Sequence, residues 1–259
     1  MTACPLCTGE RNVHFRSVVL DRYPVAYWYC PACGLLQTEK PYWLGEAYGS
    51  AIATVDTGLV QRNLSLSRVL SCLLYFHFQR NGRYLDIAGG YGLLTRLMRD
   101  VGFDYFWSDL YCENLFARGF TEKDGGSRYT AITAFEVLEH IHDPLTFLEE
   151  SLSKYGTRSI IFSTELYEGA PPRPEDWWYY AFRTGQHISF YRLETLKFLA
   201  GKYGLHLQSN GTIHMMTDKP CVPGFFKVAT GRFSGFLSGY VRRRMRSKTF
   251  SDFEYLIGS

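Results

Sequence analysis

Asp86, Gly89, Gly90 and Gly92 stand together in the run Tyr84-Leu85-Asp86-Ile87-Ala88-Gly89-Gly90-Tyr91-Gly92. Glycines at this spacing let a ligand lie almost on the backbone, where any Cβ would hold it off. The spacing is not that of a dinucleotide fingerprint. Counted from Gly90, the third small position holds Thr95. Asp86 precedes the glycines, where a pyrophosphate gains nothing from a carboxylate. A ligand with an ammonium group does gain from it. Asp109 closes a second apolar run, Tyr105-Phe106-Trp107-Ser108-Asp109. An acid there can accept hydrogen bonds from both ribose hydroxyls.

The elements that must position these residues follow from hydrophobic spacing. Tyr84, Leu85 and Ile87 read as a buried strand, and Leu93, Leu94, Leu97 and Met98 as the helix after the glycine turn. Leu59 to Phe78 has helical spacing and is expected to cover the cofactor cleft. Ala131–Phe135 and Arg158–Ser163 read as the fourth and fifth strands. Asp143-Pro144 predicts a helix start, leading into Leu145–Tyr155. Leu193–Lys202 reads as a helix, and Leu205–Gln208 with Ile213–Thr217 as a closing strand pair.

Cys4-x-x-Cys7 and Cys30-x-x-Cys33 are two hooks separated by 22 residues. Four thiolates on two tight turns suit tetrahedral zinc. Four ligands close the coordination sphere, so the expected zinc is structural. Short strands are predicted around Val18–Leu20 and Val25–Tyr29. Cys72, Cys112 and Cys221 have no such spacing.

Asp86-x-x-Gly89-Gly90-x-Gly92, Asp109 and Thr133-Ala134-Phe135-Glu136-Val137-Leu138-Glu139-His140 together resemble a class I S-adenosylmethionine-dependent methyltransferase. The chain is most similar to the branch with an N-terminal zinc ribbon, which includes sugar methyltransferases of surface-glycan and antibiotic pathways. The resemblance covers residues 1–217. It implies an α/β, Rossmann-like seven-stranded sheet with a small zinc ribbon. The implied cofactor set is Asp86, Ala88, Gly89, Gly90, Gly92, Asp109, Leu110, Phe135 and Glu136. Ala88 stands where the family usually has glycine, and is tolerable if its φ is negative. The implied organisation is a ribbon at 1–40, a helical bridge at 41–80, a methyltransferase domain at 81–218 and a basic aromatic tail at 219–259.

The acceptor side is read from a long loop, 166–187, with Pro171, Pro172 and Pro174 followed by Trp177-Trp178-Tyr179-Tyr180. Such rings form either a folded-down lid or a platform for a sugar or base. Trp177, Trp178, Tyr179, Gln186 and Tyr191 are the expected substrate contacts. Gly185-Gln186-His187-Ile188-Ser189-Phe190-Tyr191 resembles a family stretch at the substrate side. Methyl transfer needs an aligned nucleophile and a proton acceptor. His187 is the first candidate base, and His140 with Glu139 the second. Glu136 and His140 are expected on one helix face, four residues apart. Carbon-methylating relatives often carry glutamate before the histidine; Gln186 is neutral and points to an oxygen nucleophile.

Charge is uneven. Residues 1–40 carry +1 and residues 219–259 carry +6, which leaves −4 for 41–218 out of a total of +3. The cluster Arg242-Arg243-Arg244-Met245-Arg246-Ser247-Lys248 could meet an anionic membrane surface or a nucleotide-sugar pyrophosphate. Nucleic acid is a weaker candidate partner, because the ribbon is not basic and an N-P-P-Y-type base-flipping motif is absent. An RNA methyltransferase and a catalytically silent adaptor are therefore the alternatives to a sugar-modifying enzyme. The aromatic share of 17% favours pockets that stack on rings or sugars. Met1 to Leu20 lacks an apolar signal region, and Val69 to Phe78 falls short of the ~20 residues that span a bilayer. The expected location is cytoplasmic, with a peripheral position at the inner membrane face open to it.

Overall fold

The computed structural model describes residues 2–48 and 56–258. The strands are β1 (Thr2–Ala3), β2 (Glu10–Val19), β3 (Tyr23–Tyr29), β4 (Leu36–Thr38), β5 (Arg83–Ile87), β6 (Asp104–Ser108), β7 (Ala131–Ala134), β8 (Ser159–Ser163), β9 (Ser189–Phe190), β10 (His206–Ser209) and β11 (Ile213–Thr217). The helices are α1 (Leu44–Ala47), α2 (Leu59–Phe76), α3 (Leu93–Val101), α4 (Glu122–Gly125), α5 (Pro144–Lys154), α6 (Leu193–Lys202), α7 (Phe225–Thr230), α8 (Ser234–Arg244) and α9 (Thr249–Gly258). The chain divides into two compact units, and β8 contributes to both. Part of the expected 41–80 bridge, residues 49–55, lies outside the described residues.

One unit comprises 54–134, 152–161 and 217–259. Its sheet runs β8-β7-β5-β6. The β5 pairings with β6 and β7 are parallel, with Asp86 opposite Trp107 and Thr133. A continuous buried run is what a central parallel strand requires, and Tyr84, Leu85, Asp86 and Ile87 supply it. Helix α3 buries Leu94, Met98 and Val101. Helix α2 packs on α3, α7 and α8. The segment expected as a tail thus carries three helices. Gly102, at φ +123°, ends α3 where a Cβ would lie 2.5 Å from the Arg246 carbonyl oxygen. The expected seven strands of the central sheet number six among the described residues. Beyond β6, pairing is reduced to one parallel bridge between Trp107 and Thr121.

The other unit comprises 1–53, 135–151 and 162–216. Its first sheet runs β1-β2-β3-β4-β9, with antiparallel pairs throughout. The cysteine hooks flank β2 and β3, which are longer than the expected ribbon strands. The β4–β9 pair sets Leu36 opposite Phe190 and Gln37 opposite Ser189. One apolar cluster joins Val25, Tyr27, Leu36 and Trp43 to Tyr179, Tyr180, Ile188 and Phe190. The N-terminal strands and the loop through His187 therefore share a core. Beside β8, β11 and β10 complete this unit's strands. Asp143 caps α5 as expected, accepting from the Thr146 backbone N–H at 3.0 Å.

Among the described residues, no helix is long and apolar enough to cross a membrane.

Candidate active site

The glycine turn is clasped from both sides. The Gly89 N–H donates to the Ser108 carbonyl at 3.0 Å, and the Gly90 N–H to Asp109 Oδ2 at 2.8 Å. Trp107 Nε1–H donates to the Gly90 carbonyl at 2.8 Å. A Cβ on Gly89 would lie 2.7 Å from Trp107 Cδ1 and 3.1 Å from Asp86 Oδ2, so only glycine fits that approach. Gly90 and Gly92 have φ of +54° and +85°. Ala88 has φ +62°, not the negative value that would make it strain-free. An L-residue there costs about 1–2 kcal/mol. The turn's hydrogen bonds hold it in place.

Asp86 is buried, and its Oδ1 accepts the Thr133 hydroxyl at 2.7 Å, which is itself bonded to the Tyr105 hydroxyl. Burial pushes its pKa up to about 7, against the Thr133 hydroxyl, and the Asp109 charge adds to the rise. A buried carboxylate in that state gains most from a cationic partner. Asp109 Oδ1 accepts the N–H groups of Tyr111 and Cys112 at 2.7 and 2.8 Å. That acid therefore shapes the loop and the glycine turn together. Leu110 is exposed. Trp107 escaped sequence reasoning; its signal was an indole one residue before the end of a strand that closes with an acid.

In the other unit, Phe135 is half-buried and Glu136 is exposed at φ +55°. Ser163 Oγ ties Glu136 at two points, accepting its N–H at 2.9 Å and donating to Oε1 at 2.6 Å. The expected helix face carrying Glu136 and His140 does not form. The left-handed turn at Glu136 breaks it, and a single 3-10 turn at Leu138–His140 follows.

His140, Glu139 and His187 do come together. One ligand-type atom from each lies within 4.8 Å of those of the other two. The two imidazoles are perpendicular, with centroids 5.0 Å apart. His187 Nδ1 meets the Tyr179 carbonyl at 2.7 Å. His140 Nδ1 meets the Gln186 carbonyl at 3.0 Å and the Tyr48 hydroxyl at 2.9 Å. A carbonyl can only accept, so Nδ1 carries the proton in both rings and Nε2 the basic lone pair. Burial lowers the His187 pKa, against the Tyr179 contact and Glu136. Burial, and then His187, push His140 down to about 3. Both rings are thus neutral near pH 7. Glu139 is fully buried, and its carbonyl accepts the Ile188 N–H at 2.7 Å.

The residues expected to contact substrate separate by depth. Tyr179 and Tyr180 are buried, Tyr179 lying with its ring 4.5 Å from His187. Tyr191 is fully buried, and its hydroxyl donates to the Leu138 carbonyl at 2.8 Å, holding the turn that bears Glu139 and His140. Gln186 Nε2 donates to the Ala47 carbonyl at 2.9 Å. Trp178 is 78% exposed. With Trp177, Glu175, Asp176 and Arg183 it lines an open hollow of about 480 Å³. The aromatic loop thus has a buried half, Tyr179 and Tyr180, and an exposed residue, Trp178.

The four cysteines lie in this unit. Cys4 and Cys33 sulfurs are 3.7 Å apart, those of Cys7 and Cys30 are 3.5 Å apart, and all are free thiols. Tetrahedral zinc with bonds of about 2.3 Å sets sulfurs ~3.8 Å apart, so the set fits that ion. The Cys33 thiol's hydrogen bond draws the Cys4 pKa down to about 5 and pushes that of Cys33 up. Gly34 is left-handed at φ +73°, as the turn demands. The hooks also connect onward. The Thr195 hydroxyl donates to the Cys33 carbonyl at 2.8 Å, and the Tyr167 hydroxyl donates to that of Gly34 at 2.5 Å. Gln37 Nε2 bridges Ser189 Oγ and the His142 carbonyl at 3.0 and 2.6 Å.

Residues 60–210 match the family described as Methyltransferase domain. No curated protein matches the sequence. Among solved structures the chain is similar to magnesium protoporphyrin IX methyltransferase from Synechocystis PCC 6803 with bound SAM, at 11% identity and a TM-score of 0.41 over 67% of this chain and 88% of that one. It is similar to an O-methyltransferase family 2 protein from Planctomyces limnophilus in complex with apigenin, at 14% identity and a TM-score of 0.43 over 66% and 63%. It is also similar to CalO1, a methyltransferase in calicheamicin biosynthesis in its SAH-bound form, at 14% identity and a TM-score of 0.45 over 68% and 60%. The match therefore spans less than two thirds of the length of the latter two proteins.

Proposed function

This chain belongs to the methyltransferase-domain family and is an S-adenosylmethionine-dependent methyltransferase; from that premise we propose that it methylates a sugar hydroxyl in a nucleotide-sugar or surface-glycan substrate. The observation that carries the hydroxyl is His187, neutral and fixed by Tyr179 with Nε2 as its basic nitrogen. The exposed Trp178 beside Arg183, Glu175 and Asp176 supports the sugar, because an indole stacks on a ring while charged groups take its hydroxyls. Gln186 is neutral where a carboxylate would favour a carbon nucleophile.

Bound S-adenosylmethionine supplies a methyl group on a sulfonium, already a good leaving group. In this reading Asp86 takes the cofactor's ammonium group, and Asp109 its ribose diol. Gly89, Gly90 and Gly92 give it room, with Ala88, Leu110, Phe135 and Glu136 as further contacts. His187 Nε2 accepts the acceptor hydroxyl's proton as that oxygen attacks. Glu139, close by, stabilises the imidazolium that results. His140 orients the pair. Cys4, Cys7, Cys30 and Cys33 hold one structural zinc. A zinc-thiolate set fits a reducing compartment, and on this reading the chain works in the cytoplasm.

The test is turnover on nucleotide-linked sugars, followed by product mass, with His187→Ala beside the wild type. Loss of a general base costs about 10²–10⁴-fold. The variant should lose about that much kcat while its cofactor affinity stays unchanged. Wild-type turnover in His187→Ala would make that residue a lid contact and move the base to His140.

A further inference from the structure

Helix α9 is inside out. Its buried residue is Asp252, 4% exposed and gripped by Arg99 at 2.8 and 2.6 Å and by Arg96 at 2.9 Å. Burial pushes the Asp252 carboxyl up, but the two guanidiniums hold it below the ordinary carboxylate range. Tyr255 rests its ring near Phe120, with centroids 5.9 Å apart, but three other apolar residues face away. Phe250, Phe253 and Ile257, spaced three and four residues apart, are 68%, 58% and 71% exposed. That spacing makes one stripe along the helix. Helix α8 buries Ser238 and Val241 and stacks Tyr240 on Phe76, while Phe236 is exposed.

The end of α8 and the link after it decide what could cover these helices. Arg242, Arg243, Arg244 and Arg246 are all exposed. Residues 219–259 contain only two acids, Asp252, already paired, and Glu254. A symmetric contact with a second copy would set this arginine run against itself, which disfavours that occupant. Nucleic acid would use the arginines but finds no hydrogen-bonding group on Phe250, Phe253 or Ile257. A surface that is anionic at its face and apolar just beneath satisfies both features.

We propose that α9 and the arginine run before it dock this protein peripherally on an anionic lipid surface. Phe250, Phe253 and Ile257 enter the headgroup boundary, and the arginines meet the lipid phosphates. The Arg99–Asp252 pair fixes the helix from its opposite side, so the stripe is already formed before contact. None of these exposed residues belongs to the cofactor or histidine sites.

The test is sedimentation of the full chain with vesicles of phosphatidylcholine alone or of phosphatidylcholine mixed with phosphatidylglycerol. Binding is expected only with the anionic vesicles, and should fall with added salt. A basic residue near such a surface is worth about 1 kcal/mol, or roughly fivefold in affinity. Arg243→Gln and Arg244→Gln should therefore each weaken binding about fivefold. Phe250→Ser combined with Phe253→Ser should abolish it while melting temperature and cofactor affinity stay unchanged. The proposal falls if anionic vesicles fail to sediment the wild type, or if the double phenylalanine variant binds as well as the wild type. It falls equally if the stripe instead mediates a dimer by light scattering, or retards a single-stranded RNA with no vesicle binding.

Discussion

The glycine turn and the histidine cluster are built in opposite ways. The turn is closed by residues at most 19 positions apart, through Gly89 to Ser108, Trp107 to Gly90, and Gly90 to Asp109. The histidine cluster needs Ala47, Tyr48, Leu138–His140, Tyr179 and Gln186–Tyr191, so its contacts reach across as many as 139 positions. A site made of neighbours can be formed by one strand–turn–helix unit. A site made of distant segments inherits the stability of everything that holds those segments. Here that includes the cysteine hooks, through β4–β9 pairing and the bonds from Thr195 and Tyr167.

Metal removal should give the largest effect and separate the two regions most sharply. Structural zinc in small sites is worth about 10–16 kcal/mol of binding free energy, which is also folding free energy. One zinc per chain is expected by elemental analysis. Cys33→Ser or chelation should release it and disorder the first sheet. Because Cys33 and Gly34 are tied to the segments flanking His187, methyl transfer should fall to background while cofactor affinity, which the proposed function assigns to the glycine turn, persists. If chelated protein kept full turnover, the proposed link from hooks to histidines would be wrong.

Asp86 offers the reciprocal break. Asp86→Asn keeps the shape and the Thr133 contact but removes the charge. Truncating one member of a buried charge pair costs ~3 kcal/mol, about a hundredfold in affinity. Calorimetry should show that loss for S-adenosylmethionine with no fall in melting temperature, since a neutral side chain there needs no counter-ion. His187→Ala should show the converse pattern, with turnover lost and affinity retained.

The same contrast explains what could be read in advance. The glycine turn, its flanking strands and α6 follow from short-range spacing, and the structure has them in place. Hydrophobic periodicity also found α2, which ends at Phe76. The histidines were recognisable as types, but their joining with Glu139 depends on the β4–β9 register and on Tyr191 beneath the turn, neither of which has a local signal. The helix expected at Glu136–His140 failed because periodicity does not register a left-handed residue such as Glu136. The C-terminal helices were hidden behind the basic cluster Arg242–Lys248, whose flanks pack on α2 and α3.

A smaller effect is expected from pH. In the proposed function ionised Asp86 is the form that pairs with the ammonium group, so binding should lower its pKa from about 7. Affinity due to this pair is then fully present above the free value and is lost as pH falls through it. Each pH unit below should weaken cofactor binding about tenfold, until the bound-state pKa is reached. Calorimetry from about pH 7.5 to about pH 5.5 measures the slope. Asp86→Asn should flatten it. A slope that survives in that variant would assign the titration to another group.

The smallest effect tests how tightly the local turn is held. Ala88 sits at φ +62°, where an L-residue costs about 1–2 kcal/mol, and glycine is the family's usual choice. Ala88→Gly removes that cost but gives the unfolded chain more freedom, which returns about 0.4–1 kcal/mol. The balance is a gain of roughly 0.5 kcal/mol, or about 1–2 °C in melting temperature for a chain of this size. Glycine also removes a methyl group from the cofactor turn, so affinity should hold or rise slightly. A clear loss of stability would mean that the Ala88 methyl makes contacts worth more than the strain. The turn would then owe its shape to packing as well as to the hydrogen bonds from Ser108, Trp107 and Asp109.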